Sequence, residues 1–265
     1  MSVTRLAING AAGRMGQRLV ALGSQDPQLK LVACFERTGH AKLKEDAGQI
    51  AGIEPIGVPL CDASDEPYQA IIDFSVPQGA DAAIDRALAA GSGLVMATTG
   101  MTDSQIEKLK AAAQKIPLVW APSMSLAVNL TMKLTEIASA ALKDYSTGVD
   151  VEILERHHRF KEDSPSGTAL KFGEIVAGQM GQTNHVHGRE GRPGERTRDE
   201  IGYHAIRIGD NPGEHTIIFG MLGETIELTV RASNRDCYAQ GALKAAKFIA
   251  GKPAGLYTMN DVLGL

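Results

Sequence analysis

The strongest constraint on the fold is a rhythm over the first 125 residues, where short apolar runs alternate with amphipathic stretches. Leu6-Ala-Ile8 reads as a strand and Arg14 to Leu22 as the helix behind it. Leu31 to Phe35, Ala70 to Phe74 and Leu94 to Ala97 read as further strands, the last two separated by a helical stretch around Ala80 to Ala90. A helix over Asp103 to Lys115 leads to Leu118-Val-Trp120. Strands that alternate with helices build βαβ units and a mostly parallel sheet, which takes ligands at the carboxyl ends of its strands. The rhythm stops after about Ser125. A long helix from Ala127 to Leu142 carries Leu130, Leu134, Ile137 and Ala141 at helical spacing. Strand-like runs then follow without regular helices between them: Val149 to Glu155, Tyr203 to Ile208, Thr216 to Met221 and Thr225 to Arg231. In the last of these, Ile226, Leu228 and Val230 alternate with Glu227 and Thr229, as a strand with one buried face would. Gly223 and the Gly213-Glu214 pair suggest antiparallel connections. His185 to Arg198 is rich in Gly and charge, has no periodicity, and reads as a mobile loop. A closing helix, Tyr238 to Ala250, is apolar along one face and is expected to return to the first domain.

The expected fold class is α/β: a parallel-sheet domain of residues 1–125 and 236–265, plus a smaller α+β domain of residues 126–235 with an open mixed sheet. A hydrophobic fraction of 43% in 265 residues supports a substantial core. A net charge of -4 gives no electrostatic case for nucleic acid or a membrane surface as partner. No apolar run is long enough to span a bilayer, and Met1 to Gly10 enters a strand-like run at once, so no signal peptide is expected. Cys34, Cys61 and Cys237 are scattered without metal-type spacing, which favours a reducing, cytoplasmic setting and buried thiols.

Gly10-Ala-Ala-Gly13-Arg-Met-Gly16 lies between the first strand and the first helix. Glycines there let backbone approach a pyrophosphate, whose charge a helix N-terminus stabilises. The spacing is GxxGxxG rather than GxGxxG, and a tight strand-to-helix turn would explain it equally simply. The strand before, the helix after and an acid at the end of the next strand favour a dinucleotide and a Rossmann-type domain. That acid is Glu36, twenty residues past Gly16. Glu36 alone would favour NADH by repelling a 2′-phosphate; Arg37 beside it either binds that phosphate or is a solvated surface charge. With the two adjacent, use of both NADH and NADPH is expected. Asp73-Phe-Ser75 and Thr98-Thr99-Gly100 also end strands on the ligand edge, as crevice lining or as ordinary turns.

The most unusual stretch runs from Glu155 to Leu170. His157, His158, two arginines and Lys161 crowd together before a turn, and Ser166-Gly167-Thr168 opens an apolar helical run. Free amides at a helix start attract an anion by about 0.3–1 kcal/mol, up to about 2 when partly buried. Cations joined to such amides make a carboxylate site, and this density suggests more than one carboxylate on the ligand. The same side chains are acids: histidine titrates near neutrality, and a lysine among cations has a lowered pKa. A positioned general acid contributes on the order of 10²–10⁴ in rate. Adjacent histidines at a strand end point to opposite faces, so at most one enters the site directly.

Together these segments resemble the 4-hydroxy-tetrahydrodipicolinate reductase (dihydrodipicolinate reductase) family. The resemblance is carried by Gly10–Gly16, Ile72-Asp-Phe74, Ala97-Thr-Thr-Gly100, Glu155-Arg-His-His158, Lys161 and Ser164-Pro-Ser-Gly-Thr-Ala-Leu170. It continues through Arg189-Glu-Gly191, Gly213-Glu-His-Thr216, Gly223-Glu224, Gly255-Leu-Tyr and Met259-Asn-Asp-Val-Leu263. It implies NAD(P)H-dependent reduction, with loss of water, of a small cyclic dicarboxylate in lysine and diaminopimelate biosynthesis, by a cytoplasmic homotetramer that needs no metal. It implies that Lys161 donates a proton and that His157, as donor or acceptor, stabilises charge in the transition state. His158, Gly167, Thr168 and Thr99 would bind the substrate carboxylates. Gly10, Ala11, Ala12, Gly13, Arg14 and Met15 would hold the cofactor, with Glu36, Arg37, Ala97, Thr98, Thr99, Ala121, Pro122, Ser123 and Met124. Three positions depart from the family's usual form. Ala97 stands where Gly commonly precedes Thr-Thr-Gly, Ala121-Pro-Ser-Met124 replaces a stretch with Asn and an aromatic, and Val76 replaces an Arg that some members carry for the 2′-phosphate. Two rival readings are another two-domain dehydrogenase and a non-catalytic NAD(P)H sensor. No cysteine lies in the basic segment as a semialdehyde dehydrogenase requires, no Glu-Lys-Pro stands in place of Ala97–Gly100 as in sugar oxidoreductases, and a sensor has no use for the His-His and Lys161 cluster.

Overall fold

The computed structural model describes residues 3–265, so the first two residues of the strand-like opening lie outside it. The chain forms two compact units, residues 1–126 with 235–265, and residues 127–234.

The first unit runs β1 (Thr4–Asn9), α1 (Arg14–Gly23), β2 (Leu29–Phe35), α2 (Ala47–Ile50), β3 (Leu60–Cys61), β4 (Ala70–Asp73), α3 (Pro77–Ala90), β5 (Gly93–Met96), α4 (Asp103–Ala112) and β6 (Pro117–Trp120). The second unit follows with α5 (Leu126–Leu142), β7 (Asp150–His157), α6 (Gly167–Met180), β8 (Asn184–His187), β9 (Glu200–Arg207), β10 (Glu214–Met221) and β11 (Glu224–Arg231). The chain then returns to the first unit as α7 (Asp236–Ile249), β12 (Gly255–Tyr257) and α8 (Met259–Leu263).

The first sheet has the order β12-β6-β5-β4-β1-β2-β3, with every pairing parallel. This is the doubly wound order, and its direction reverses between β1 and β4. The apolar runs in the sequence follow from that topology. Helices cover both faces, so β4 and β5 are buried at every position. Successive side chains alternate between two cores. Leu6, Ile8, Ile72, Val95 and Val119 pack with α1 and α7; Ala7, Ile71, Leu94, Met96 and Leu118 pack with α3 and α4.

The second sheet has the order β11-β10-β7-β9-β8. β10 is antiparallel to both neighbours, whereas β7, β9 and β8 are mutually parallel, so the sheet is open and mixed as expected. Ala169, Phe172 and Val176 of α6 close the core over Val151, Ile153, Ile201, Tyr203, Ile217 and Phe219.

Two local expectations need correction. His185–Arg198 is not structureless. It opens within β8, and Arg189 and Arg196 tie the rest to Glu152, Glu200 and Asp150. A four-residue polar edge strand has no periodicity to display. β11 is an edge strand on which only Val230 is buried, and Ile226 is exposed despite its alternation. α5 bears the expected helical spacing, and its apolar stripe faces outward. Leu130, Leu134 and Ile137 are exposed, while Asn129, Thr131, Thr135 and Ser139 are buried. Two of the buried hydroxyls are satisfied within the helix: Thr131 donates to the Ala127 carbonyl and Thr135 to the Thr131 carbonyl, each at 2.8 Å, while Ser139 Oγ is buried without a hydrogen-bond partner. Among the described residues no helix is long and apolar enough to cross a membrane.

Candidate active site

In the first unit, parallel pairing places the carboxyl ends of β1, β2, β4, β5 and β6 along one edge. Every residue expected to hold a cofactor follows one of those ends. Gly10–Met15 follow β1, Glu36 and Arg37 follow β2, Ala97–Thr99 follow β5 and Ala121–Met124 follow β6. The glycine loop is built for close approach. Gly10 has φ +74°, and a Cβ on Gly16 would stand 2.1 Å from the Gly10 carbonyl oxygen. Both Gly10 and Ala11 donate their amides to the Phe35 carbonyl, at 2.9 and 3.0 Å. α1 has no side-chain cap and no acidic residue in its first turn, so its free amides and positive end face the edge unopposed. These features fit a pyrophosphate. Arg37 is exposed, and its amide donates to Glu36 Oε1 at 3.1 Å.

Beneath the loop lies a carboxylate that the sequence reading left as strand-end lining. Asp73 is fully buried. It accepts hydrogen bonds from Asn9 Nδ2 (2.7 Å), Ser75 Oγ (2.6 Å) and Thr98 Oγ1 (2.8 Å). Burial pushes its carboxyl above the usual range, although those three donors pull the other way. Asn9 Oδ1 in turn accepts from Arg86 Nη1 at 2.6 Å, and the Arg86 guanidinium lies 4.6 Å from the centre of the Phe35 ring.

In the second unit, β7 ends on His157, and the chain turns through His158, Lys161 and a cis Ser164–Pro165 bond into α6. Ser166 caps that helix, its Oγ accepting from the Ala169 amide at 3.2 Å. Gly167 and Thr168 therefore occupy the first turn, whose amides attract anions, and no acidic side chain opens the helix. Lys161 reaches Asp163 Oδ1 at 2.7 Å, and its side chain is 22% exposed. The crowding of Lys161 by cations expected from the sequence thus gives way to an anionic neighbour. Burial opposes ionisation of Asp163, but the Lys161 ammonium outweighs it and carries the carboxyl below its ordinary value.

His157 belongs to a buried array drawn from three strands. Its Nδ1 lies 2.5 Å from Glu155 Oε2. Glu155 is 1% exposed and takes both terminal nitrogens of Arg207 from β9, each at 2.8 Å, plus the Ser166 amide at 3.1 Å. Burial would raise the Glu155 carboxyl, but the hydrogen bonds from His157 and Arg207, the His157 charge and the Ser166 amide hold it down at about 2. His215 of β10 lies against the His157 ring edge to face, at 5.1 Å, and its Nε2 is 3.1 Å from Ser166 Oγ. Burial, reinforced by the neighbouring His157 charge, lowers His215 to about 4. His158 sits on the opposite side of the strand end, near the exposed Phe160, and its Nδ1 is buried without a hydrogen-bond partner.

The structure therefore carries His157, His158, Lys161, Gly167 and Thr168 on one strand end, the turn after it and the helix start that follows, within the second unit, while Thr99 follows β5 in the first. Sequence reasoning missed Glu155 as a functional group, and with it Arg207, His215 and Ser166. Glu155 was findable, because residues two apart on a strand share a face. Arg207 and His215 lie 52 and 60 residues from Glu155, and no local pattern links them. Among the described residues no group of three or more His, Cys, Asp or Glu could hold a metal ion.

Known proteins align with both units. The family model "Dihydrodipicolinate reductase, N-terminus" matches residues 4–124, and "Dihydrodipicolinate reductase, C-terminus" matches residues 127–263. A 4-hydroxy-tetrahydrodipicolinate reductase of Rhodopirellula baltica is 59% identical over 98% of this chain and 96% of its own length. One from Alkalilimnicola ehrlichii is 46% identical over 99% of each chain. The solved structure of a dipicolinate-bound dihydrodipicolinate reductase from Paenisporosarcina sp. TG-14 has a TM-score of 0.77 and 25% identity, and covers 97% of both chains. A cradle for a dinucleotide, a basic turn at a helix start, and family matches along both units lead to one assignment: the chain belongs to the dihydrodipicolinate reductase family.

Proposed function

We propose that this chain reduces 4-hydroxy-tetrahydrodipicolinate to tetrahydrodipicolinate, with loss of water, in lysine and diaminopimelate biosynthesis. The observation that carries this is the Lys161 turn leading into the first turn of α6, in a chain 59% identical to a named reductase. A ring bearing two carboxylates meets the Gly167 and Thr168 amides, His158 and Lys161. Displacing Asp163 from Lys161 lets a substrate carboxylate take over that charge. Lys161 delivers a proton to the ring atom that gains electron density, and His157 stabilises the charge as it develops.

Gly10–Met15, Ala97–Thr99 and Ala121–Met124 hold a nicotinamide dinucleotide, whose reduced ring supplies the hydride. Glu36 receives the ribose hydroxyls of NADH, and Arg37, exposed beside it, receives the 2′-phosphate of NADPH, so both cofactors serve. The enzyme works in the cytoplasm as a homotetramer, and the uncovered Leu130, Leu134 and Ile137 on α5 support such an assembly. The test is NADH oxidation coupled to the enzyme that makes the unstable substrate. Lys161→Ala should lower kcat at least about a hundredfold and leave NADH binding nearly unchanged; lost nucleotide binding would instead assign the cluster to the cofactor.

A further inference from the structure

We infer that Glu155, locked by Arg207, is the positioning residue that fixes the tautomer of His157, so that the ring carries its proton on Nδ1 and offers Nε2 to the substrate. This rests on the reading of His157 as a group that meets the reacting ring.

The argument begins with a fully committed carboxylate. Glu155 Oε2 faces His157 Nδ1 at 2.5 Å and Arg207 Nη1 at 2.8 Å. Oε1 faces Arg207 Nη2 at 2.8 Å and the Ser166 amide at 3.1 Å. Held at about 2, the group is ionised across any working pH and can only accept hydrogen bonds. The ring nitrogen that faces it must therefore donate. A neutral imidazole has one N–H, so a proton on Nδ1 leaves a bare lone pair on Nε2. Among the described residues no hydrogen bond to His157 Nε2 is made. The nearest ring, His215, already directs its own Nε2 to Ser166 Oγ. Proton exchange at His157 is thus confined to Nε2, and the imidazolium form donates from that same atom.

Arg207 makes this arrangement workable. A buried carboxylate alone beside His157 would demand a permanent imidazolium to offset its desolvation. The guanidinium supplies that counter-charge from the other side, and it is itself pinned by the Asp163 carbonyl at 2.7 Å. The charged and titratable groups around the ring are Glu155 on β7, Arg207 on β9 and His215 on β10; the Asp163 carbonyl meets Arg207, and the Lys161 charge acts on His215.

Glu155→Gln tests the inference. Arg207 Nη2 and the Ser166 amide require an acceptor where Oε1 stands, so the amide oxygen takes that place and its NH2 donates to His157 Nδ1, at the loss of the Arg207 Nη1 bond. The neutral ring is forced into the Nε2–H form. In the coupled assay kcat should fall about a hundredfold while the KM for NADH stays within about twofold, and Glu155→Asp should recover part of the loss. Histidine-labelled NMR, with the His157 resonances assigned by comparison with His157→Gln, should report Nδ1–H in the wild type and Nε2–H in Glu155→Gln. A Glu155→Gln enzyme within about threefold of wild-type kcat would overturn the inference. So would an Nε2–H neutral form in the wild type, a measurement that holds even if the variant fails to fold. Wild type that does not oxidise NADH with this substrate would sink the proposed reaction instead, while the histidine spectrum would still read the tautomer.

Discussion

The titration of His215 offers a direct physical check on the buried array, because its magnitude follows from the structure. The ring is 5% exposed, abuts His157 and is lowered from 6.5 to about 4. Unfolding returns it to water and to its ordinary value near 6.5. The unfolded chain therefore binds the extra proton first, and acid favours it. Stability present above pH 6.5 is lost as pH falls towards 4. Between pH 7 and pH 5 these two values give a loss of about 2 kcal/mol from this one residue. Glu155 adds little in that window, because its own loss begins only as pH falls through the ordinary glutamate range towards about 2. The comparison is wild type against His215→Gln, which keeps an acceptor for Ser166 but does not titrate. Urea unfolding should be followed by far-UV circular dichroism, since the single tryptophan, Trp120, belongs to the first unit. Wild type should lose about 2 kcal/mol more than the variant between the two pH values. Equal losses, or a His215 ring that titrates near 6.5 by NMR, would refute the account of a neutral, dry histidine beneath the helix start.

Other expectations bear on ligands. Gly16→Ala sets a methyl carbon against the Gly10 carbonyl and the Ala11 backbone, so the KM for NADH should rise at least about tenfold while the urea transition of the second unit stays in place; unchanged NADH affinity would mean that the loop does not meet the pyrophosphate. With Glu36 and Arg37 intact, kcat/KM for NADH and NADPH should lie within about a thousandfold of each other, and Arg37→Ala should weaken NADPH about tenfold and spare NADH. Pyridine-2,6-dicarboxylate should inhibit competitively with the cyclic substrate, and Lys161→Ala should weaken it about tenfold or more in calorimetry; indifference to Lys161 would place the carboxylates elsewhere.

How much of this was legible in the sequence depended on how local the cause was. β4 and β5 announced themselves as apolar runs because helices cover them on both faces. β3 and β12, of two and three residues, are too short for any period to develop. The α5 stripe had the correct spacing, but its outward orientation was not legible, since periodicity reveals a face and not what that face meets. The same division holds at the site. His157, Lys161, Gly167 and Thr168 lie within twelve residues, so their chemistry could be read together. The partners that give His157 its character arrive on β9 and β10 through sheet pairing, where His157 stands opposite Arg207 and Glu155 opposite His215. That register exists only once the strands have assembled.

The hidden carboxylate beneath the glycine loop has its own consequence. Through Asn9, Ser75 and Thr98, Asp73 ties together the ends of three neighbouring strands, and Arg86 braces the set from α3. The loops above it share one floor, and their separation is set before any nucleotide arrives. A rim already at its working spacing has little freedom left to surrender on binding. Spent and fresh nucleotide can then trade places over a scaffold that need not rebuild itself at each turnover.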